Sequence, residues 1–233
     1  MYDSHVCYFP DYLNSGKVIF MKTIIIASQK GGSGKTTLVS HLAVEAERIG
    51  DGPVWIIDTD RQGTLSRWHG QREADTPQRA DVPFSKLSAA LIALEKQHAT
   101  YCFIDTAPAL SEQNANLLRM ADLVLIPVRP SPADLWAVSE TVEQVKSAGK
   151  PLLFVITQAK PQASITAQTV AVLSQHGQVA QAFIADRVPY AAAMTSGRTA
   201  PEIGPKSPTA VEIAELWVCV KSCFHEIRKV ANG

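Results

Sequence analysis

The sequence predicts an α/β fold, a single domain with a mostly parallel central sheet and helices on both faces. From Met21 onward, short apolar runs alternate with helix-length amphipathic patterns, the arrangement in which each strand returns to the sheet through a crossover helix. The runs are apolar enough to be strands covered on both faces. A chain of 233 residues with a hydrophobic fraction of 46% also has the material for one sizeable core.

The first twenty residues, MYDSHVCYFPDYLNSGKVIF, mix aromatics, Pro10 and polar side chains without a period. They lack the basic start, apolar stretch and small-residue cleavage site of a secretory signal. Met21 is therefore expected to be the functional start, with residues 1–20 an appendage. The strands that follow are Thr23 to Ala27, Val54 to Ile57, Tyr101 to Ile104, Leu123 to Ile126 and Leu152 to Ile156, with a weaker one at Ala182 to Ile184. A helix runs from Leu38 to Ile49. Another opens at Ser131-Pro132, a capping residue before proline at the first helical position, and carries Leu135, Val138, Val142 and Val145 to a stop at Gly149. The last helix has Ile213, Leu216, Trp217, Val220, Phe224 and Ile227 on one stripe, which should pack it against the sheet. The Pro/Ser/Gly-rich stretch from Met194 to Pro208 reads as a surface loop.

Charge and cysteine content narrow the function. Lys plus Arg equal Asp plus Glu at 22 each, so no whole-chain field draws the protein to nucleic acid or an anionic membrane. Cys7, Cys102, Cys219 and Cys223 are too scattered for a disulfide scaffold or a zinc site, which fits a reducing cytoplasm. No apolar run approaches the ~20 residues that span a bilayer.

Chemistry enters after the first strand, at Gln29-Lys30-Gly31-Gly32-Ser33-Gly34-Lys35-Thr36-Thr37. Phosphate oxygens need converging backbone N–H donors, and glycines let the main chain wrap that closely before it enters a helix whose N-terminus favours anions. Gly31, Gly32, Ser33, Gly34, Lys35, Thr36 and Thr37 form the candidate nucleotide cradle. Lys35 is placed to reach the β and γ phosphates, and the Thr36 hydroxyl to bind magnesium. Two later strands end in carboxylates. Ile56-Ile57-Asp58-Thr59-Asp60 puts Asp58 at a strand's carboxyl end, and Phe103-Ile104-Asp105 has the pattern of a strand whose aspartate holds magnesium.

Gln29 stands where the usual first glycine of such a loop falls, and with it Lys30 to Thr36 resembles the deviant Walker A box of the ParA and MinD ATPases. Asp58-Thr59-Asp60-Arg61-Gln62-Gly63 is similar to the family's second box, with Arg61 where proline is common, and Asp105-Thr106-Ala107-Pro108 is similar to its Walker B turn. The segments Gln62 to Trp68, Ala121 to Val128 and Pro130 to Leu135 look like those of short plasmid-type ParA partition proteins. The resemblance covers nearly everything after Met21, so residues 21–233 are expected to form one ParA-like ATPase domain.

The resemblance implies ATP with Mg2+, and catalytic roles for Lys30, Lys35 and Asp58. Lys30 is expected to cross an ATP-dependent homodimer to the other subunit's phosphates, Asp58 to help place the attacking water, and Thr36 and Asp105 to hold the metal. It also implies a ParB-like partner that stimulates hydrolysis, non-specific DNA as the working surface, and a cytoplasmic, nucleoid-associated protein. From Arg187 to the C-terminus, six cations against four glutamates leave a net of +2. Arg198 and Lys206, in the expected loop, are the first DNA candidates. Thr157-Gln158 occupies the strand end where many relatives carry a base-contacting asparagine, so adenine selectivity has no clear residue. Three alternatives stay open: a MinD-like regulator on a membrane or protein scaffold, an iron-sulfur protein using Cys219 and Cys223, and a metabolic ligase of the dethiobiotin synthetase type. The glutamate-interrupted last helix speaks against membrane association, the core position of Cys223 against a cluster, and Lys30 against the ligase.

Overall fold

A computed structural model describes residues 20–108, 111–160 and 162–231. Apart from Phe20, the expected N-terminal appendage lies outside them. The elements run β1 (Lys22–Ile26), α1 (Lys35–Arg48), β2 (Val54–Asp58), α2 (Thr64–Gly70), β3 (Gln78–Arg79), a 3-10 turn at Phe84–Lys86, α3 (Leu87–Lys96), β4 (Tyr101–Asp105), α4 (Glu112–Leu118) and β5 (Leu123–Val128). They continue with α5 (Pro132–Ser147), β6 (Leu152–Ile156), α6 (Ser164–Leu173), β7 (Gln178–Val179), α7 (Val188–Met194), α8 (Ala200–Ile203) and α9 (Pro208–Ala231). The strands form one sheet in the order β3-β2-β4-β1-β5-β6-β7. Every neighbouring pair is parallel, as the strand–helix alternation predicts.

Alternation of side chains along each strand divides the core in two. Ile24, Ile26, Phe103, Leu123 and Leu125 pack on one face against α1, α2, α7, α8 and α9. Ile25, Ile104, Val124 and Ile126 pack on the other against α3, α4, α5 and α6. The α5 start is as read: Ser131 caps the helix, its side chain accepting from the Asp134 amide, with Pro132 in the first turn. On α9, Ile213, Leu216, Trp217, Val220, Cys223 and Phe224 are buried, so Cys223 is a core side chain as expected.

Two expectations need correction. Ala182 to Ile184 is not a strand; the edge strand is β7, and the later segment meets the end of β6 through the Ile184 amide on the Ile156 carbonyl and an isolated bridge between Ala159 and Ala185. Gln158, with a positive φ of 49°, falls between these contacts and leaves them as isolated bonds instead of a regular ladder. The stretch from Met194 to Pro208 is not a plain surface loop either. It contains α8, and Thr199, Ala200 and Pro201 are buried against the body of the protein. Proline and glycine there mark a helix start and a close approach: a Cβ on Gly197 would collide with the Gln71 backbone. The two-residue strand β3 is too short to leave a periodic signal.

The α9 stripe centres on Trp217, fully buried, edge-on to Tyr101 and donating its indole N–H to Asp51 at 2.7 Å. Trp217→Ala is expected to cost about 3–5 kcal/mol of stability, read as a lower urea midpoint with an unchanged slope.

Candidate active site

The phosphate loop leaves the carboxyl end of β1, at the centre of the sheet. Strand register then assembles the acidic residues. Ile26 pairs with Asp105 on β4, and Asp105 pairs with Asp58 on β2. Both sequence-predicted carboxylates thus stand beside the loop, where ligands bind in open parallel sheets. Gly34 caps α1 at φ 96°, a conformation closed to other residues without strain. The Lys35 ammonium curls back to the carbonyls of Ser28 at 3.2 Å and Lys30 at 3.4 Å. The Thr36 hydroxyl donates to Asp105 Oδ2 at 2.6 Å. Asp58 accepts from the amides of Asp60 at 3.1 Å and Ser66 at 2.8 Å, so the first turn of α2 holds it. Lys30 differs from Lys35: among the described residues its ammonium has no hydrogen bond and no ion pair.

The electrostatics are those of charges held out of water. Burial pushes the Asp105 carboxyl up to about 7; the Thr36 hydrogen bond acts against burial and the nearby Asp58 adds to it. Burial likewise lowers Lys35 from the usual lysine range, against the pull of Asp105 and Asp60. Both shifts run towards neutrality, so desolvation outweighs the mutual attraction of the pair. Three buried polar atoms have no partner among the described residues: Gln29 Nε2, Ser33 Oγ and Asp105 Oδ1. A phosphate group and a hydrated cation are what such a donor-rich loop and half-satisfied carboxylate fit. Thr36 and Asp105 are the side chains that could hold the cation. Among the described residues no group of three or more His, Cys, Asp or Glu could hold a metal ion.

Sequence reasoning missed the supports of this site. Thr157 donates to the Ser33 carbonyl at 2.8 Å and Gln158 Nε2 to the Gly32 carbonyl at 2.8 Å. The α8 segment clasps α2: Trp68 Nε1 donates to the Arg198 carbonyl at 3.1 Å, and Arg72 reaches the Gly197 carbonyl at 2.8 Å and Glu202 at 2.9 Å. Ala200 N–H donates to His41 Nε2 at 3.1 Å, while His41 Nδ1 lies 2.8 Å from the Thr37 carbonyl. Because Nε2 accepts, the ring proton is on Nδ1 and His41 is neutral. Only Thr157-Gln158, by its place at a strand end, left a trace in the sequence. His41 and Arg72 lie in ordinary helical patterns.

A parallel sheet with a glycine-rich loop at its central strand, a lysine folded back over that loop, and a threonine–aspartate pair beside it define a P-loop ATPase. Residues 24–200 match the CobQ/CobB/MinD/ParA nucleotide binding domain, and the chain belongs to that ParA/MinD family. The Maintenance of carboxysome distribution protein A of Halothiobacillus neapolitanus is 29% identical over 201 residues, covering 82% of this chain and 91% of its own. The Chromosome-partitioning ATPase Soj of Thermus thermophilus is 27% identical over 228 residues, with coverages of 82% and 91%. An ATP complex of McdA from Cyanothece shares the fold, with a TM-score of 0.70 at 19% identity over 88% of this chain and 96% of that one.

His41 makes the α1–α8 contact sensitive to acid. Burial pulls its pKa down to about 4 against the Thr37 hydrogen bond, whereas an unfolded histidine titrates near 6.5. Between those values the unfolded chain binds the proton and the native one does not. The contribution is therefore full above about pH 6.5 and lost as pH falls towards 4. Urea unfolding at pH 7.5 and pH 5 is expected to show wild type losing about 2 kcal/mol more than His41→Gln over that interval.

Proposed function

We propose that this chain is a ParA-type partitioning ATPase: an ATP-dependent homodimer that binds DNA without sequence preference and lets go when a ParB-like partner stimulates hydrolysis. The observation that carries the proposal is the pair of unlike lysines in one loop. Lys35 is buried and folded back onto its own loop, over the carbonyls of Ser28 and Lys30. Lys30, with no ion pair among the described residues, is a charge free for phosphates bound by a second copy. Relatives named for distributing carboxysomes and partitioning chromosomes support a cargo-positioning role.

In this reading the loop amides and Lys35 hold the triphosphate, and Lys30 from the second subunit stabilises charge on the transferred phosphoryl group. Asp58, fixed by the α2 amides, orients water for in-line attack. Thr36 and Asp105 hold Mg2+, which when bound offsets charge on the phosphate oxygens. The described helices include none long and apolar enough to cross a membrane, and on α9 Lys221 is committed to Asp51 at 2.8 Å.

DNA contacts fall to the exposed cations that remain. Arg187 is paired with Glu212, which removes it along with Lys221. Arg198 and Lys206 are exposed and make no ion pair among the described residues. Arg198 gives one N–H to the Glu202 carbonyl and keeps its charge.

The two lysines are separable. Lys35→Ala should weaken ATP binding about a hundredfold. Lys30→Ala should keep ATP affinity within about threefold, lose ATP-dependent dimerisation in sedimentation, and turn over about a thousandfold more slowly. A Lys30→Ala protein that still dimerises and hydrolyses normally refutes the intersubunit role.

For DNA, filter binding of duplex at low salt is expected with ATP and not with ADP. Arg198→Ala or Lys206→Ala should each lower the slope of log affinity against log salt by about two, one phosphate contact per subunit. Equal and negligible binding in both nucleotide states removes DNA from the mechanism.

A further inference from the structure

The phosphate loop is braced from outside by the end of β6. Thr157 continues the strand, its amide donating to the Val128 carbonyl at 3.0 Å, so it stands on a rigid platform. Its buried hydroxyl donates to the Ser33 carbonyl, and its methyl lies against Gly34, 3.5 Å from where a Cβ there would be. The next residue, Gln158, takes its unusual φ of 49° and gives its side-chain amide to the Gly32 carbonyl.

A trans peptide is planar, with its C=O and N–H pointing in opposite directions. Fixing the Gly32 carbonyl towards β6 therefore turns the Ser33 N–H away from β6, and fixing the Ser33 carbonyl turns the Gly34 N–H away in the same manner. Among the described residues neither of those two amides has an acceptor. These are the loop donors that a bound phosphate requires. Without the two braces, glycine-rich peptide units can rotate freely, and ordering them falls to the ligand.

We propose that Thr157 and Gln158 are positioning residues for the phosphate groups and not readers of the nucleotide base. They fix two peptide planes of the loop so that the Ser33 and Gly34 amides are set for anion binding before the ligand arrives. One N–H of the exposed Gln158 amide at this strand end is given to the Gly32 carbonyl, so the affinity which that bond confers belongs to the triphosphate whatever base it carries. The proposal rests on the loop being the phosphate cradle and on neither dimerisation nor DNA.

Calorimetric titration of ATP and of inorganic tripolyphosphate, each with Mg2+, into the full chain tests it. Thr157→Val, which keeps shape and removes the donor, is expected to weaken both ligands by the same factor, about tenfold, the size of one hydrogen bond. Thr157→Ser should stay within about threefold of wild type, and Gln158→Met, an exposed change that leaves folding intact, should weaken both ligands equally, by about three- to tenfold. Melting curves of nucleotide-free wild type and the exposed Gln158→Met should be alike, which separates loop bracing from general destabilisation. Loss of ATP affinity with tripolyphosphate binding unchanged would make these side chains base readers and overturn the proposal. Unchanged affinity for both ligands overturns it as well. If Thr157→Val fails to fold, Gln158→Met decides by the same comparison. A wild-type protein that binds neither ligand overturns the phosphate cradle itself, an outcome distinct from failure of the braces alone.

Discussion

Parallel pairing of β1 with β4, in the register that sets Ile26 beside Asp105, is the contact on which the rest of the molecule depends. It is made in the centre of the sheet, between strands whose side chains are buried on both faces. A shift of one residue would exchange the two faces of β4 and carry Asp105 away from Thr36. Because β2 pairs with β4 in turn, the same register brings Asp58 alongside. One hydrophobic constraint thereby places a loop, a hydroxyl and two carboxylates drawn from three distant parts of the chain.

The cost of this placement is electrostatic. Lys35 and Asp105 are almost wholly buried, at 8% and 1% exposure, and both drift towards their neutral forms. A sheet that is otherwise apolar tolerates them because backbone carbonyls solvate the ammonium and Thr36 solvates one carboxylate oxygen. Among the described residues the other oxygen has no partner. Such a site gains from any ligand that supplies the missing partners, which gives the nucleotide-free form a built-in affinity for a phosphate–cation pair.

Around this centre the supports come from far along the chain. The end of β6 holds the loop's carbonyls, and the α8 segment ties α2 to α1 through Arg72, Glu202 and His41. Arg72 lies over the Trp68 ring, 4.9 Å from its centroid, and it and the Thr199 hydrogen bonds hold the half-buried Glu202 below the usual carboxylate range despite burial, which acts the other way. Since α2 also supplies the amide that fixes Asp58, the position of that carboxylate depends on contacts made by residues 197–202. Polar groups buried in such a ring tolerate few alternatives, because each unpaired member would pay its full desolvation cost.

The sequence by itself determined the fold class and the phosphate loop, with Lys35, Thr36, Asp58 and Asp105 at its margins. Strand-length apolar runs and a glycine-rich turn before a helix are local patterns, and local patterns survive in a one-dimensional reading. It also marked the α5 cap and the α9 stripe, for the same reason. The tertiary structure alone decided what surrounds the site. Met194 to Pro208 reads as a loop because its glycines and prolines are local breakers, yet burial of Thr199 and Ala200 against α1 makes it a structural clasp. Ala182 to Ile184 reads as a strand because it is apolar, yet it meets the end of β6 only in isolated bonds on either side of Gln158, whose φ is positive. His41, Arg72, Thr157 and Gln158 owe their roles to partners 124 to 159 residues away, and a hydrogen bond between such distant residues leaves no period or spacing in the sequence of either.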